Sequence, residues 1–418
     1  MLVLNWRLLG IVLAGLLFIS GCNNQSIMYG SHSLSKADKK KEEIIVWHTY
    51  SEEETKVFEN EVIPLFEKQH PDIDVKPVRQ PYGEQLKWTL LARASAKRPP
   101  DIVRMDISWV PFFAKMGQIY SVSDFNDFTQ VKEGFLEAPL KSNLLNGKYY
   151  GLPLNTNTKV AIFNRQLLKN VGYTSPPGNM DELLDLILKN NYRIGLTGYT
   201  AWESLPYFYG FGGKILSPDL KKAEGYLNSP KSIQAAEKLR ILFNASGNSD
   251  TWEGVIDGKY LMIDEGPWFY SIQSPQKLEE IMKNTISVPF PVTNGKGSIL
   301  GGENLVIMKG ATNPKASWTF VKWMATSEPQ KLLMKTGLMP TAKGVNIKES
   351  IKEAGYIDSY IAGLENSFSL PPLANWAEIE EIYIKYIRMI ILDQIGAKEG
   401  MSLAAKEIDN QLLKEKGR

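Results

Sequence analysis

The sequence predicts an α/β protein whose first domain is built on a largely parallel sheet. Short β-branched apolar runs alternate with helical stretches from Ile44 onward, and helix-start signals sit where the alternation needs them. Strand, helix, strand, helix, strand is the pattern of a sheet covered by crossover helices. The length, 418 residues, is too great for one ordinary domain and suggests two.

Ile44-Ile45-Val46-Trp47 reads as a buried strand. Ser51-Glu52-Glu53-Glu54 fits a capping box, and Phe58, Val62, Leu65 and Phe66 follow at helical spacing. Pro64 should kink or interrupt that helix. Asp72 to Val75 alternates as the next strand. Gly83 to Ala96 is helical with Leu86, Leu90 and Leu91 on one face, and Trp88 is expected in the core. Asp101-Ile102-Val103 begins a third strand, followed by a helix from Trp109 to Met116. Ser229-Pro230 and Asn313-Pro314 open later helices with proline in the first turn. Ile379, Ile382, Tyr383, Tyr386, Ile387 and Ile390 form one apolar stripe, and Ser402 to Lys414 is a last amphipathic helix.

With 43% hydrophobic and 22% charged residues the chain can bury sizeable cores. A net charge of +2 gives no strong field that would point to nucleic acid. The lone cysteine, Cys22, leaves no disulfide and no cysteine metal site. It ends Ile19-Ser20-Gly21-Cys22, after an apolar run from Leu8 that is preceded by Arg7. A charged start, a short apolar centre and small residues describe a secretory signal over 1–21. Its end resembles the lipobox of bacterial lipoproteins, which implies cleavage before Cys22 and lipid on its sulfur. Residues 22–42, polar and with three consecutive lysines, read as a flexible tether. The mature protein is then expected on the extracellular face of the cell membrane, held by lipid.

Several stretches in order resemble the maltose/maltodextrin-type extracellular solute-binding proteins of ABC importers. They are Ile44 to Ile73, Pro99 to Val103 with Trp109 and Gly117, and Tyr149 to Asn164. Further on come Phe211 to Lys214, Met262 to Trp268, Gly301 to Leu305, and Asn313 to Thr341. The resemblance implies a two-lobed periplasmic-binding-protein-like fold, hinged, with the ligand cleft between the lobes. Lobe 1 would be 43–153 plus 299–342, and lobe 2 would be 154–298 plus 343–418. Pro153 to Thr158 and the glycine-rich Pro291 to Gly302 would be crossings. The implied partners are a carbohydrate ligand, permease subunits and a separate ATPase. No cofactor is implied, and a monomer is expected.

Flat rings cover the apolar faces of a pyranose while carboxylates and amides take its hydroxyls. Among ten tryptophans, those in loops or at strand ends are the binding candidates. Trp268 ranks first, because Gly266-Pro267-Trp268 matches a motif whose tryptophan faces sugar in that family. Trp202 lies ten residues before Gly212-Gly213, where the family often places an aromatic contact. Trp47, Tyr82 and Trp109 follow from strand-end placement. Trp376 either contacts ligand or staples a helix start. Among polar groups the candidates are Asp106, Asn155, Asn157 and Glu303. Asp106 could equally cap a helix, Asn157 could hold a turn, and Glu303 could be a solvated charge. Asp264 and Glu265 would point different ways from an extended segment, and residue type does not choose between them.

No two carboxylates are singled out as a glycosidase pair, and the three histidines give neither metal spacing nor a nucleophile–base pair. No Walker-type loop is present, so any ATPase is another polypeptide. The principal expectation is a binding protein without catalysis. The rivals are a secreted carbohydrate-processing enzyme, or capture of a polyamine, iron or a phosphodiester.

Overall fold

A computed structural model of the chain describes residues 41–293, 295–347 and 355–416. The signal, Cys22 and nearly all of the expected tether lie outside the described residues. Fourteen strands follow in chain order: β1 (Glu42–His48), β2 (Ile73–Arg79), β3 (Ile102–Asp106), β4 (Leu144–Leu145), β5 (Lys148–Tyr149), β6 (Leu152–Thr158), β7 (Val160–Asn164), β8 (Ile194–Gly195), β9 (Ser246–Gly247), β10 (Met262–Glu265), β11 (Thr285–Val288), β12 (Ser298–Ile307), β13 (Met339–Pro340) and β14 (Ser367–Phe368). Glu42 already pairs with Ile73 and Glu43 with Asp74, so the sheet begins one residue inside the expected tether.

The first sheet runs β13-β6-β12-β3-β1-β2, with β14 beside β12. β1 is parallel to β2 and β3, as the alternation predicts. β12 is antiparallel to β3 and β6, because it enters from the other lobe rather than through a crossover helix. The second sheet runs β11-β7-β10-β8-β9. Among the described residues no helix is long and apolar enough to cross a membrane.

The chain passes from one sheet to the other at Lys159, the single residue between β6 and β7. β6 stays in the first sheet through Thr158, so 154–158 belong there and not to lobe 2. A second passage joins β11 to β12. After β13 the chain leaves the first sheet again, and helix Ile357–Glu365 packs beside Val160 and Ile162 of β7. Gly301 and Gly302 lie where β12 runs against β6. A Cβ on Gly301 would stand 2.2 Å from Asn157 Oδ1, and one on Gly302 would stand 2.3 Å from the Asn155 carbonyl oxygen. Gly302 also holds φ +132°, a conformation side chains rarely adopt.

Local signals explain the helices that frame the cleft. Ser51 and Glu54 form the reciprocal capping box at the start of helix Glu52–Val57. Pro64 does not end the helical stretch. A π-helical turn, Phe58–Val62, precedes helix Ile63–Gln69, with the Ile63 N–H reaching back to the Phe58 carbonyl. The wider turn accommodates a proline that cannot donate and would crowd the carbonyl four residues back. Trp88, on helix Glu84–Ser95, is 53% exposed against the expectation of core packing. Leu86 and Leu90 take the buried face. The apolar stripe forms the buried face of helix Trp376–Ile391, and the last helix, Ala397–Lys416, starts earlier than Ser402.

His48 ends β1 with its side chain fully enclosed, its ring 5.1 Å from those of Tyr50 and Phe58. Neither ring nitrogen has a hydrogen-bond partner. Burial, helped by Arg104 and Arg79, pushes its pKa down to about 4. The folded state therefore holds a neutral imidazole. Its contribution to stability is complete above the unfolded value of 6.5 and is lost as pH falls toward about 4. A shift of that size corresponds to about 3 kcal/mol. His48→Phe is expected to flatten the loss of stability between pH 7 and pH 4 in chemical denaturation. Parallel losses in variant and wild type would assign the acid sensitivity elsewhere.

Candidate functional site

A cavity of about 1130 Å³ opens between the two lobes, and the hinge residues Ile299 to Glu303 form part of its wall. Strand alternation decides which side chains reach it. Arg104 and Asp106 share one face of β3. Glu303 of β12 lies directly opposite Asp106 and also opposite Asn155 of β6. Trp47 pairs with Val103, the residue whose side chain takes the other face. This corrects the expectation for Trp47. It is 8% exposed among Leu86, Leu90 and Met105, with Arg93 over its ring at 5.1 Å, and it does not line the cavity. The strand end does feed the cavity, but through Thr49, Tyr50 and Ser51.

Each lobe presents one aromatic pair. On the first, Tyr82 and Trp109 stack with centroids 6.1 Å apart and planes 15° apart. The Tyr82 hydroxyl donates to Asp106 Oδ2 at 2.5 Å, while Asp106 Oδ1 accepts from the Ser108 amide at 2.8 Å. Asp106 thus both faces the cavity and organises the turn before helix Val110–Lys115. On the second lobe Trp202 and Trp268 stack at 6.2 Å and 30°. All four rings line the cavity.

A layer of charge behind the second pair holds it in place. Glu265 accepts from Trp268 Nε1 and from Trp252 Nε1, each at 2.8 Å. Burial raises its pKa, and these donors oppose the rise. Asp264 pairs with Lys159 and accepts from the Tyr207 hydroxyl at 2.7 Å. Lys159 Nζ donates to the Trp202 carbonyl at 3.3 Å and stands 5.6 Å from its ring centroid. The two acids therefore do point different ways, yet neither lines the cavity. Both work from behind the rings.

Arg104, absent from the sequence candidates, anchors the hinge side. It pairs with Glu303 at 2.9 Å and donates to Thr49 Oγ1 at 2.7 Å and Asn155 Oδ1 at 3.2 Å. Its guanidinium lies 4.5 Å from the Tyr50 ring centroid. Asn155 donates to Glu303 Oε2 at 2.6 Å but is buried behind it, outside the cavity wall, which corrects its expected ligand contact. Glu303 and Asn157 line the cavity. Burial pushes the Glu303 carboxyl up while Arg104 pulls it down. Trp376 is also corrected. It is 3% exposed inside the second-lobe core, because its helix turns the apolar stripe inward. Glu380, one turn further on, is the residue of that helix on the cavity wall, where it accepts from the Ala201 amide at 3.1 Å.

Two α/β lobes joined by passages of chain and an aromatic-walled cavity at the hinge define a two-lobed binding protein. The chain belongs to the bacterial extracellular solute-binding protein family, which matches residues 50–331. It is 24% identical over 352 residues to the maltotriose-binding protein of Pyrococcus abyssi, covering 78% of this chain and 73% of that one. It is also 24% identical over 360 residues to an uncharacterised ABC transporter extracellular-binding protein of Pyrococcus horikoshii, covering 80% and 82%. In fold it is similar to the sugar-binding protein MalE of Xanthomonas citri, with a TM-score of 0.77 at 20% identity, covering 90% of this chain and 98% of that one.

Proposed function

We propose that this chain captures an oligosaccharide between its lobes and delivers it, unaltered, to the permease of an ABC importer. The observation that carries this reading is the placement of one stacked aromatic pair on each lobe, facing a single cavity rimmed by carboxylates and an amide. Rings of that kind bury the C–H faces of a sugar, and the polar groups take its hydroxyls. The volume, about 1130 Å³, exceeds the usual range for small-ligand pockets and leaves room for more than one sugar ring. The relatives named for maltotriose and for an ABC transporter support the same class of cargo and partner. A ligand that touches both lobes only when they close would shift the population toward the closed state.

The test is a thermal-shift screen over mono- and oligosaccharides, with product analysis after prolonged incubation. A ligand that binds only the native state raises the apparent melting temperature. A shift without new products is the expected result. Cleaved or transferred sugar would replace this reading with a carbohydrate-processing enzyme.

The lipobox-like Ile19-Ser20-Gly21-Cys22 favours a lipid anchor on Cys22. A tethered receptor stays at high effective concentration beside its permease. Cys22→Ser is expected to leave sugar binding intact, move the protein from the membrane fraction to the medium, and impair uptake. Retention in the membrane fraction would remove the anchor from the account.

A further inference from the structure

The cavity wall is unevenly charged. It carries five carboxylates, those of Glu54, Glu84, Asp106, Glu303 and Glu380. Against them stand two guanidiniums, Arg79 and Arg104. Arg104 is engaged by Glu303, and Arg79 Nε donates to the Tyr50 carbonyl. The second-lobe part of the wall holds Glu380 and no basic residue.

The placement of these groups gives the imbalance its weight. Glu303 and Asp106 occupy directly opposed positions on antiparallel strands, where like charges repel. Asp106 accepts hydrogen bonds from Tyr82 and Ser108, but no ammonium or guanidinium lies within salt-bridge distance of it among the described residues. The same holds for Glu380, whose acid is pushed up by burial against the pull of the Ala201 amide hydrogen bond, with the charges of Asp106 and Glu84 across the cleft adding to the rise. Asn157 also lines this wall, but its amide oxygen is enclosed against Gly301 and does not open to the cavity. Carboxylates therefore outnumber basic groups on the wall, and both lobes contribute them. A neutral sugar supplies hydroxyl donors one at a time. An ammonium supplies three donors and a positive charge, and the faces of Tyr82, Trp109, Trp202 and Trp268 also attract cations.

We infer that the solute is an amine-bearing carbohydrate, an amino-sugar oligosaccharide whose ammonium is held among Asp106, Glu303 and Glu380. This rests on the oligosaccharide reading above and narrows it. Closure on a neutral sugar would bring Glu380 toward Asp106 with no cation between them, whereas Glu84 already has the Lys87 ammonium at 3.8 Å. Closure on an ammonium turns that repulsion into attraction.

Calorimetric titration of the full mature chain tests this with matched probes at mildly acidic pH. The probes are glucosamine oligosaccharides, their N-acetylated counterparts and glucose oligosaccharides of equal length, in α and β linkage, with spermidine as a sugar-free cation. The amine-bearing sugar is expected to bind at least tenfold tighter than either neutral counterpart. Glu380→Gln should reduce that ratio severalfold. Glu84→Gln, at an exposed position, should reduce it too and guards against a folding defect in the first variant. Equal or tighter binding of the neutral sugars would overturn the ammonium inference and leave the carbohydrate reading standing. Binding of spermidine with no response to any sugar would overturn the carbohydrate reading itself.

Discussion

Trp268→Ala is expected to weaken oligosaccharide binding by about 2 kcal/mol or more, roughly 30-fold, while the apo protein stays folded. The loss has two parts. One ring of the second-lobe pair disappears from the cavity, and Trp202 loses its stacking partner. Glu265 Oε2 loses a donor as well, which adds a modest stability cost at a partly buried carboxylate. The control is Trp47→Phe. Trp47 packs on the far face of β1, so that variant should keep the full ligand-induced thermal shift. If Trp268→Ala kept its shift and Trp47→Phe lost it, the site would lie on the other face of the first sheet.

Asp264→Asn is expected to cost about 3–5 kcal/mol of stability, the usual penalty for stripping one partner from a buried ion pair. The side chains of Lys159 and Asp264 are each only 4% exposed, so the remaining ammonium has little access to water. The variant should also bind sugar less tightly, because Lys159 is what fixes the Trp202 backbone from behind. Denaturant unfolding separates the two effects. A triple variant, Lys159→Met and Asp264→Leu combined with Tyr207→Phe to remove the hydroxyl that Asp264 accepts from, should recover most of the stability, since well-packed apolar groups can replace a buried ion pair once no donor is left unpaired. It should not recover the affinity. A cost below about 1 kcal/mol for Asp264→Asn would mean that Lys159 finds another counter-charge, and the pair would not be the support of Trp202.

The features legible in the sequence were those with a local cause. The capping box at Ser51, the proline starts at Pro230 and Pro314 and the stripe from Ile379 to Ile390 each depend on neighbours within a turn or two. Cavity placement of Tyr82, Trp109, Trp202 and Trp268 also agreed with loop position and motif. What failed depended on register. Trp47 was judged from the end of its run, and Arg104 was not a candidate, but the pairing of Trp47 with Val103 sends Trp47 inward and leaves Arg104 facing the cleft. A charged residue inside Ile102-Val103-Arg104-Met105 was the available signal for Arg104. Glu380 carried no such signal, being flanked by Glu378 and Glu381 on the same helix. Trp376 failed by a single helical turn, and the neighbour at the next turn reaches the wall instead.

The division of the four rings between lobes has a kinetic consequence. On the proposed reading, a solute would settle first on Tyr82 and Trp109, which stack within one lobe, while the cleft is open. Trp202 and Trp268, stacked on the other lobe, would engage it once the lobes approach. Arrival then depends on one surface and residence time on the other, so changes at Tyr82 should appear mainly in the association rate and changes at Trp268 mainly in the dissociation rate. A receptor organised in this way can be made slower to release without becoming slower to load.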